Sequence, residues 1–420
     1  MGTLNTAKAV EVLFENALET YEHQTQMLEK VSVFKPNSAD MQNSNNVIWR
    51  PVQQHAPVLE GWDLTGQDTG IVEQYYPATL ETPKNDFFSQ RADDMRDMGF
   101  WERRGKQSGM KQATFLNNRL ASLVRNTGSL FYRSNETSGY DFISEAQAIM
   151  NERQTVAGNR CFVLNDRDTR KFGSDLAARQ TLQGRPNETW ATGQIGQNVA
   201  EFDVYTGSYL GVLAGGASPD TTTTSTLSFK PEGQANVGGV DLNVDYRLAS
   251  IPVASSTGYA VGDKVTIGEV KSIGLADKSA TGQLMTFTIV NIPNGTTLDV
   301  YPKPIALNDG SLAVEEVAYA NVDTQIQSGD TVTRLNIDDS AQANIFWDKD
   351  SIEVIGGDAP IQLLSEFGGM KVIQSSMKNG QTMYMAHDGD INTLNFKCRL
   401  FTWWGLNNRN PSANGVAVTF

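Results

Sequence analysis

The stretch "NDFFSQRADDMRDMGFWERRG", residues Asn85–Gly105, decides how the chain is read. It sets Asp93, Asp94 and Asp97 close together, with Arg91 and Arg96 among them and an aromatic near each end. Carboxylates that act as acid and base usually sit in separate loops, where different surroundings push their pKa values apart. Here they are neighbours, and the interleaved arginines compensate their charge locally. The spacing predicts a helix: Asn85 or Asp86 as N-cap, with Phe88, Ala92, Met95 and Trp101 on one face. Asp93 with Arg96 and Glu102 with Lys106 then form three- and four-spaced surface pairs. Gly105 and Gly109 weaken the pattern, and Ala113, Leu116, Leu120, Leu123 and Val124 resume it up to Thr127–Gly128. The expectation is a long, interrupted helix over about 86–127 whose charges orient a surface and catalyse nothing.

Upstream, residues 5–30 carry Val10, Leu13, Phe14, Ala17, Leu18 and Tyr21 at three- and four-residue steps, one apolar helical face. Glu11, Glu15, Glu19 and Glu22 line the other side, either as a solvated face or as an acidic stripe that receives a basic partner. From Ser38 the chain reads as extended. "NVIWRPVQQ" (Asn46–Gln54) and "GIVEQYYPATL" (Gly70–Leu80) are β-prone and flank the turn-rich "EGWDLTGQDTG". They describe a two-stranded arm with a broad tip, and such a hairpin must lean on other structure to persist.

Downstream, "YDFISEAQAIMNERQ" reads as helix, "CFVLN" as a short buried strand and "DRDTRKFGSDLAARQ" as a helix started by Asp166 or Asp168. Composition shifts near Ser218. No tryptophan occurs between Trp190 and Trp347, and residues 220–343 hold seven Lys+Arg against fifteen Asp+Glu, a net −8. "TTTTSTLSF", "YRLASIPVAS", "DKVTIGEV", "LMTFTIVNI" and "TLDVYPK" are successive strands, and "NIPNGTTL" carries an Asn-Gly hairpin signal. Short strands without helix imply a small antiparallel barrel or sandwich, inserted into sequence of another kind. Beyond Ala343, strand-like runs such as "KCRLFTWWGLN" and "GVAVTF" are expected to pair back with the first part of the chain.

The 420-residue chain has a net charge of −14 and a pI near 4.8. No strongly basic run offers a groove to grip phosphates, so dedicated nucleic-acid binding is disfavoured. Cys161 and Cys398 lie in apolar runs and read as buried thiols. There is neither a signal-peptide pattern nor a run near the ~18 apolar residues of a membrane span, which points to folding in a reducing cytoplasm without a membrane partner. His387 in "AHDGD" reads as part of a turn held by aspartate side chains. None of the common nucleophile, phosphate-loop or zinc motifs occurs, so no enzyme activity, metal or cofactor is expected.

Several strings occur together and in order: "SNNVIWRPVQQ", "EGWDLTGQDTG", "NDFFSQRADDMRD", "AVGDKVTI", "YPKPIALND", "AYANV", "GDINTL" and "CRLFTWWG". From about Asp40 to Val418 the chain resembles the major capsid (coat) proteins of short-tailed, temperate enterobacterial phages. The resemblance implies an α+β tailed-phage and herpesvirus capsid fold (Hong Kong 97 type) with an inserted telokin-like β-barrel domain. Residues 1–35 would be an N-terminal arm, with Glu11, Glu15 and Glu19 as candidate contacts to a scaffolding protein or neighbouring subunits. Residues 36–139 would hold the extended loop (about 47–84) and a peripheral domain with its spine helix (about 86–127). Trp62, Asp63 and Asp68 would be loop contacts across a neighbour, and Arg91, Asp93, Asp94, Arg96 and Asp97 junction charges. Residues 140–220 would form an axial domain and 221–343 the inserted domain, with 344–420 completing the axial and peripheral domains. The loop Glu232–Arg247 would bridge capsomers, and it is less charged here than the family pattern. That leaves Asp241, Asp245 and Arg247 as candidates for its ion pairs.

The implied role is a structural one. Hexamers and pentamers of the chain would assemble under a scaffolding protein into an icosahedral procapsid that expands on DNA packaging. A portal protein would occupy one vertex, and the virion would enclose double-stranded DNA without specific binding, assembly taking place in the host cytoplasm. The competing reading is a secreted β-rich carbohydrate-binding or carbohydrate-active protein. It would share the acidic, Gly- and Thr-rich composition but would stay a small particle.

Overall fold

The computed structural model describes residues 6–37, 46–52, 55, 60–63, 65, 73–91, 97–134, 139–155, 158–179, 194–208, 210–219, 221–231, 236–237, 240–241, 245–337, 340–361, 365–366, 370–377, 380–390 and 392–419. Among these, four α-helices stand beside strands grouped in several sheets: α1 (Thr6–Gln24), α2 (Met98–Thr127), α3 (Gly139–Glu152) and α4 (Asp166–Arg179). No helix of the described residues is long and apolar enough to cross a membrane. The chain divides into two compact units, and the division falls within α2.

The first unit comprises the described residues of 1–48, 78–120 and 353–407. Its main sheet has four antiparallel strands in the order Lys371–Ser376, Thr382–Asp390, Asn395–Thr402 and Lys84–Arg91. The stretch Asn85–Arg91 is therefore a strand, where the sequence spacing predicted helix from Asn85 or Asp86. Every residue from Lys84 to Arg91 has a partner in Asn395–Thr402, about three hundred positions away, and that ladder overrides the local helical pattern. The helix begins at Met98, and its cap is Asp97, whose Oδ1 accepts the Gly99 N–H at 3.0 Å. His387 likewise lies in a strand, paired with Lys371 and Cys398, and the aspartate-held turn follows at Asp390, which accepts the Asn392 N–H.

Helix α2 underlies this sheet. Asp86, nearly buried, pairs with Arg104 at 3.0 Å and Lys111 at 3.4 Å. Arg104 also lies over the Phe88 ring at 4.4 Å, and Trp101 meets Phe396 edge-on. Gln112 is buried and donates to the carbonyls of Lys84 and Leu400, tying the helix to two adjacent strands. On its other side α2 receives α1, which buries Ala9, Val10, Leu13, Phe14, Ala17 and Tyr21 as its periodicity requires. Gly105 and Gly109 mark the crossing and do not interrupt α2. A Cβ at Gly105 would stand 2.4 Å from the Leu13 carbonyl oxygen, and one at Gly109 would stand 2.3 Å from that of Ala17. Only glycine allows this approach. Tyr21 then donates to Gln381 at 2.7 Å, and Asn117 donates to the Gln24 carbonyl, fixing the end of α1.

The second unit comprises the described residues of 49–77, 121–352 and 408–420. Its larger sheet mixes parallel and antiparallel pairs in the order Leu130–Ser134, Asn414–Thr419, Ala341–Asp348, Arg160–Leu164, Phe202–Thr206 and Gln194–Val199, with Val212–Leu213 joining Ala341–Asp348. The central strand Arg160–Leu164 is buried at all five positions, as a strand covered on both faces must be. Phe142 of α3, Phe162, Phe202 and Phe346 form one ring cluster, Phe162 stacking on Phe346 at 5.8 Å. Helix α4 is capped by Asn165, not by Asp166 or Asp168: the Asn165 side-chain oxygen accepts the N–H groups of Arg167 and Asp168.

Residues 221–334 build an antiparallel six-stranded sheet, and a bridge from Thr223 to Val253 joins its two edge strands, so the barrel expected from the strand pattern closes. Alternate residues such as Ile251, Val265, Ile267, Phe287, Ile289 and Val332 fill it. The hairpin Phe287–Asn294 to Thr297–Tyr301 turns at Gly295–Thr296, one residue beyond the Asn-Gly pair that signals it: Asn294 ends the strand opposite Thr297, and its side chain accepts the Thr296 N–H. Lys264 anchors this barrel within the unit: its buried ammonium donates to the carbonyls of Arg125 and Gly128 at the end of α2 and to Thr288.

Candidate assembly surfaces

The acidic stripe of α1 survives folding. Glu11, Glu15 and Glu19 are all exposed, spaced by four on the side of α1 opposite its buried face. The stripe is a linear anionic ridge, which can steer a basic partner but holds no metal or catalytic geometry. Among the described residues no three His, Cys, Asp or Glu side chains gather as ion ligands.

The arm is a hairpin of Val47–Pro51 and Tyr75–Thr79. It does lean on other structure. The Gln74 N–H donates to the Tyr319 hydroxyl, its side-chain amide donates to the Tyr246 carbonyl, and Tyr76 is fully buried. At the other end Trp62 is fully exposed, a large apolar area that no described residue covers. Asp63 shapes the turn beside it: it accepts from the Thr65 N–H at 2.9 Å and from the Thr65 hydroxyl, whose bond holds the carboxyl below its ordinary pKa. Asp68 lies outside the described residues, as do Asp93, Asp94 and Arg96 of the junction. Of the remaining junction charges, Arg91 ends its strand exposed, and Asp97 both caps α2 and pairs with Arg103 at 3.3 Å.

Arg247 corrects the expectation of a surface pair. Its guanidinium is buried and donates to both Asp245 oxygens at 2.9 and 2.7 Å and to the carbonyls of Asn408 and Arg409 at 2.6 and 3.1 Å. It also lies over the rings of Tyr76 at 4.2 Å and Tyr301 at 5.1 Å. Its donors are committed within the chain, so Asp245 and Arg247 belong to the framework that seats the arm and leave no ion pair to offer a neighbour. Asp241 falls in a short strand, Val240–Asp241, and its side chain lies outside the described residues.

One surface escaped the sequence reading. On the first unit, Phe87, Ile361, Met370, Phe401 and Trp403 line a shallow apolar groove, with Lys397 and Arg399 among its walls. Its signal was the Phe87–Phe88 pair, which a strand sends to opposite faces: Phe88 toward Arg104, Phe87 into solvent. His387 in this groove is held below its ordinary pKa by burial and by Lys371. Burial pushes the Cys398 thiol up to about 12, which makes it an unreactive packing group.

The model of the P22 coat protein family (gene protein 5) matches residues 1–419. Among solved structures, the capsid of the cyanophage P-SCSP1u is similar at 9% identity over 93% of this chain and 86% of that one, with a TM-score of 0.45. A structure from Mycobacterium phage Che8 is similar at 9% identity over 91% of this chain and 88% of that one, with a TM-score of 0.41. The CUS-3 coat protein I-domain shares 32% identity over 29% of this chain and 99% of its own, with a TM-score of 0.23. Matched over nearly its whole length, the chain belongs to the P22 coat protein family: it is a major capsid protein of the phage virion, a self-assembling shell component and not an enzyme.

Proposed function

We propose that the chain assembles under a scaffolding protein into hexamers and pentamers of an icosahedral procapsid, which expands as double-stranded DNA is packaged through a portal vertex in the host cytoplasm. In this reading residues 1–35 are the N-terminal arm, 47–84 the extended loop, and the closed barrel within 221–343 the inserted domain. The observation that carries it is Trp62. A fully exposed tryptophan at the tip of an arm is costly to leave in water and typical of an interface anchor. The groove of Phe87, Ile361 and Trp403 offers an apolar seat on a second copy, and Arg399 on its wall complements the acidic Glu60 and Asp63 beside Trp62, whereas Lys397 is already paired with Asp390. Such contacts join one patch to a different patch, which closes rings when the rotation is right. Each is weak, and many together hold a shell.

Truncating an anchor of this kind typically costs about 2–4 kcal/mol per contact. Trp62→Ala is therefore expected to cut the shell yield on co-expression with the cognate scaffold, with the soluble subunit still folded by circular dichroism. Electron micrographs with wild-type numbers of closed shells would remove Trp62 from the interface. The acidic stripe carries a separate expectation. Glu15→Lys with Glu19→Lys should impair scaffold-directed assembly and leave the subunit's unfolding transition in place, since both residues are exposed. An unchanged yield of shells would mean that scaffold recognition lies elsewhere.

A further inference from the structure

Charge is distributed unevenly along α2. From Arg103 to Thr127 the helix holds Arg103, Arg104, Lys106, Lys111, Arg119 and Arg125 and no Asp or Glu, in a chain whose net charge is −14. Arg104 and Arg125 turn toward structure: Arg104 meets Asp86, and Arg125 donates to the Leu210 carbonyl. Arg103, Lys106, Gln107, Lys111, Thr114 and Asn118 are exposed on the side of α2 away from Gly105 and Gly109, so this stripe does not face α1. Among the described residues, acidic groups approach it only at its margins. Asp97 meets Arg103 at 3.3 Å with both side chains about two-thirds exposed, Asp86 reaches Lys111 at 3.4 Å, and Glu102 lies beside the first turn. The Asp97–Arg103 pair, solvated on both sides, is worth about 0–1 kcal/mol and exchanges partners readily, while Asp86 is nearly buried and shared with Arg104, leaving the Lys111 ammonium largely exposed. Lys106 has no ion pair among the described residues.

We propose that the stripe Arg103–Lys106–Lys111 of α2 is a contact surface for the phosphate backbone of duplex nucleic acid, engaged without sequence preference. Its setting, the inside of a filled shell, rests on the function proposed above; the binding itself does not. The stripe offers point charges separated by neutral hydrogen-bond donors, Gln107, Thr114 and Asn118, which suits phosphate oxygens and carries nothing to read a base edge. The acidity of the rest of the chain keeps such contact weak and confined to this face. A chain that encloses DNA gains a few released counterions per copy without adhering to its cargo.

The test is fluorescence anisotropy of a labelled 30-base-pair duplex with the full-length soluble subunit across a salt series. Three phosphate contacts give a slope of log K against log salt of about −2.7, or about a 40-fold loss of affinity for a fourfold rise in salt. Arg103→Gln with Lys106→Gln and Lys111→Gln should abolish the slope, and Arg103→Lys should keep it. Arg167→Gln with Arg170→Gln and Lys171→Gln changes net charge equally on another surface, α4, and should leave the slope intact. Equal losses in the two triple variants would overturn the proposal, as would preferred binding of a poly-glutamate peptide, which would assign the stripe to an acidic protein segment. In filled particles, Lys106 should be protected from acetylation relative to emptied ones, and equal reactivity would also overturn it. If no particles form, the shell reading fails while the duplex measurement still decides the stripe.

Discussion

An Arg247→Ala subunit is expected to unfold at markedly lower urea than the wild type, before any assembly is attempted. The side chain is buried with its donors committed to Asp245 and to the carbonyls of Asn408 and Arg409, and its faces are covered by Tyr76 and Tyr301. Removing one partner of such a buried pair typically costs about 3–5 kcal/mol, because the carboxylate and carbonyls left behind lose their donors. Arg247→Lys should recover little of this. An ammonium cannot reproduce the planar fork that reaches Asp245 and two carbonyls together. The result separates two roles. Were Arg247 a contact between capsomers, the isolated subunit would unfold as the wild type does, and only shell stability would change. A normal urea midpoint for Arg247→Ala would return the residue to the surface.

The second large effect is expected at the crossing of α1 and α2. Replacing Gly105 and Gly109 together by valine places each Cβ within 2.4 Å of a carbonyl oxygen of α1, far inside contact distance, so α1 must move as a whole. Helix propensity favours valine over glycine by a few tenths of a kcal/mol per site, whereas forced overpacking costs typically about 1–3 kcal/mol at each. The clash wins. Val10, Leu13, Phe14 and Tyr21 would lose their cover, and limited proteolysis should cleave within residues 6–35 much faster than in the wild type. Gly173 in α4 provides the control, since nothing lies within 4 Å of a Cβ placed there. Gly173→Ala should stabilise the subunit by about 1 kcal/mol in the same urea measurement. Protease resistance unchanged in the double variant would show that α1 does not depend on this crossing.

What could be read from the sequence follows the range of the interactions that decide each element. The face of α1 and the helix–strand–helix run depend on neighbours within a few positions and are found where the pattern places them, and the hairpin signalled by Asn294–Gly295 forms with its turn one residue further on. The stretch Asn85–Arg91 depends on Asn395–Thr402, and no local pattern carries that information. Its charges allowed a helix, and its Phe87–Phe88 pair, which a strand splits between two faces, was the signal overlooked. Gly105 and Gly109 read as weak points because their reason, the backbone of α1, lies about ninety positions away. Arg247 read as surface charge because its acceptors at Asn408 and Arg409 and its ring partners come from three other segments. The groove was invisible for the same reason: Phe87, Ile361 and Trp403 meet only in space.

The ladders that tie the ends of the chain together also set a schedule. Lys84–Arg91 waits for Asn395–Thr402, and Leu130–Ser134 waits for Gly415–Thr419, so both main sheets stay open until those distant strands have been synthesised. A nascent chain can close the barrel of residues 221–334 early, but it cannot complete the strand that carries Phe87, one wall of the groove. If the groove is the seat proposed above, a chain acquires it only after Asn395–Thr402 has been made, which keeps half-made neighbours on one message from joining.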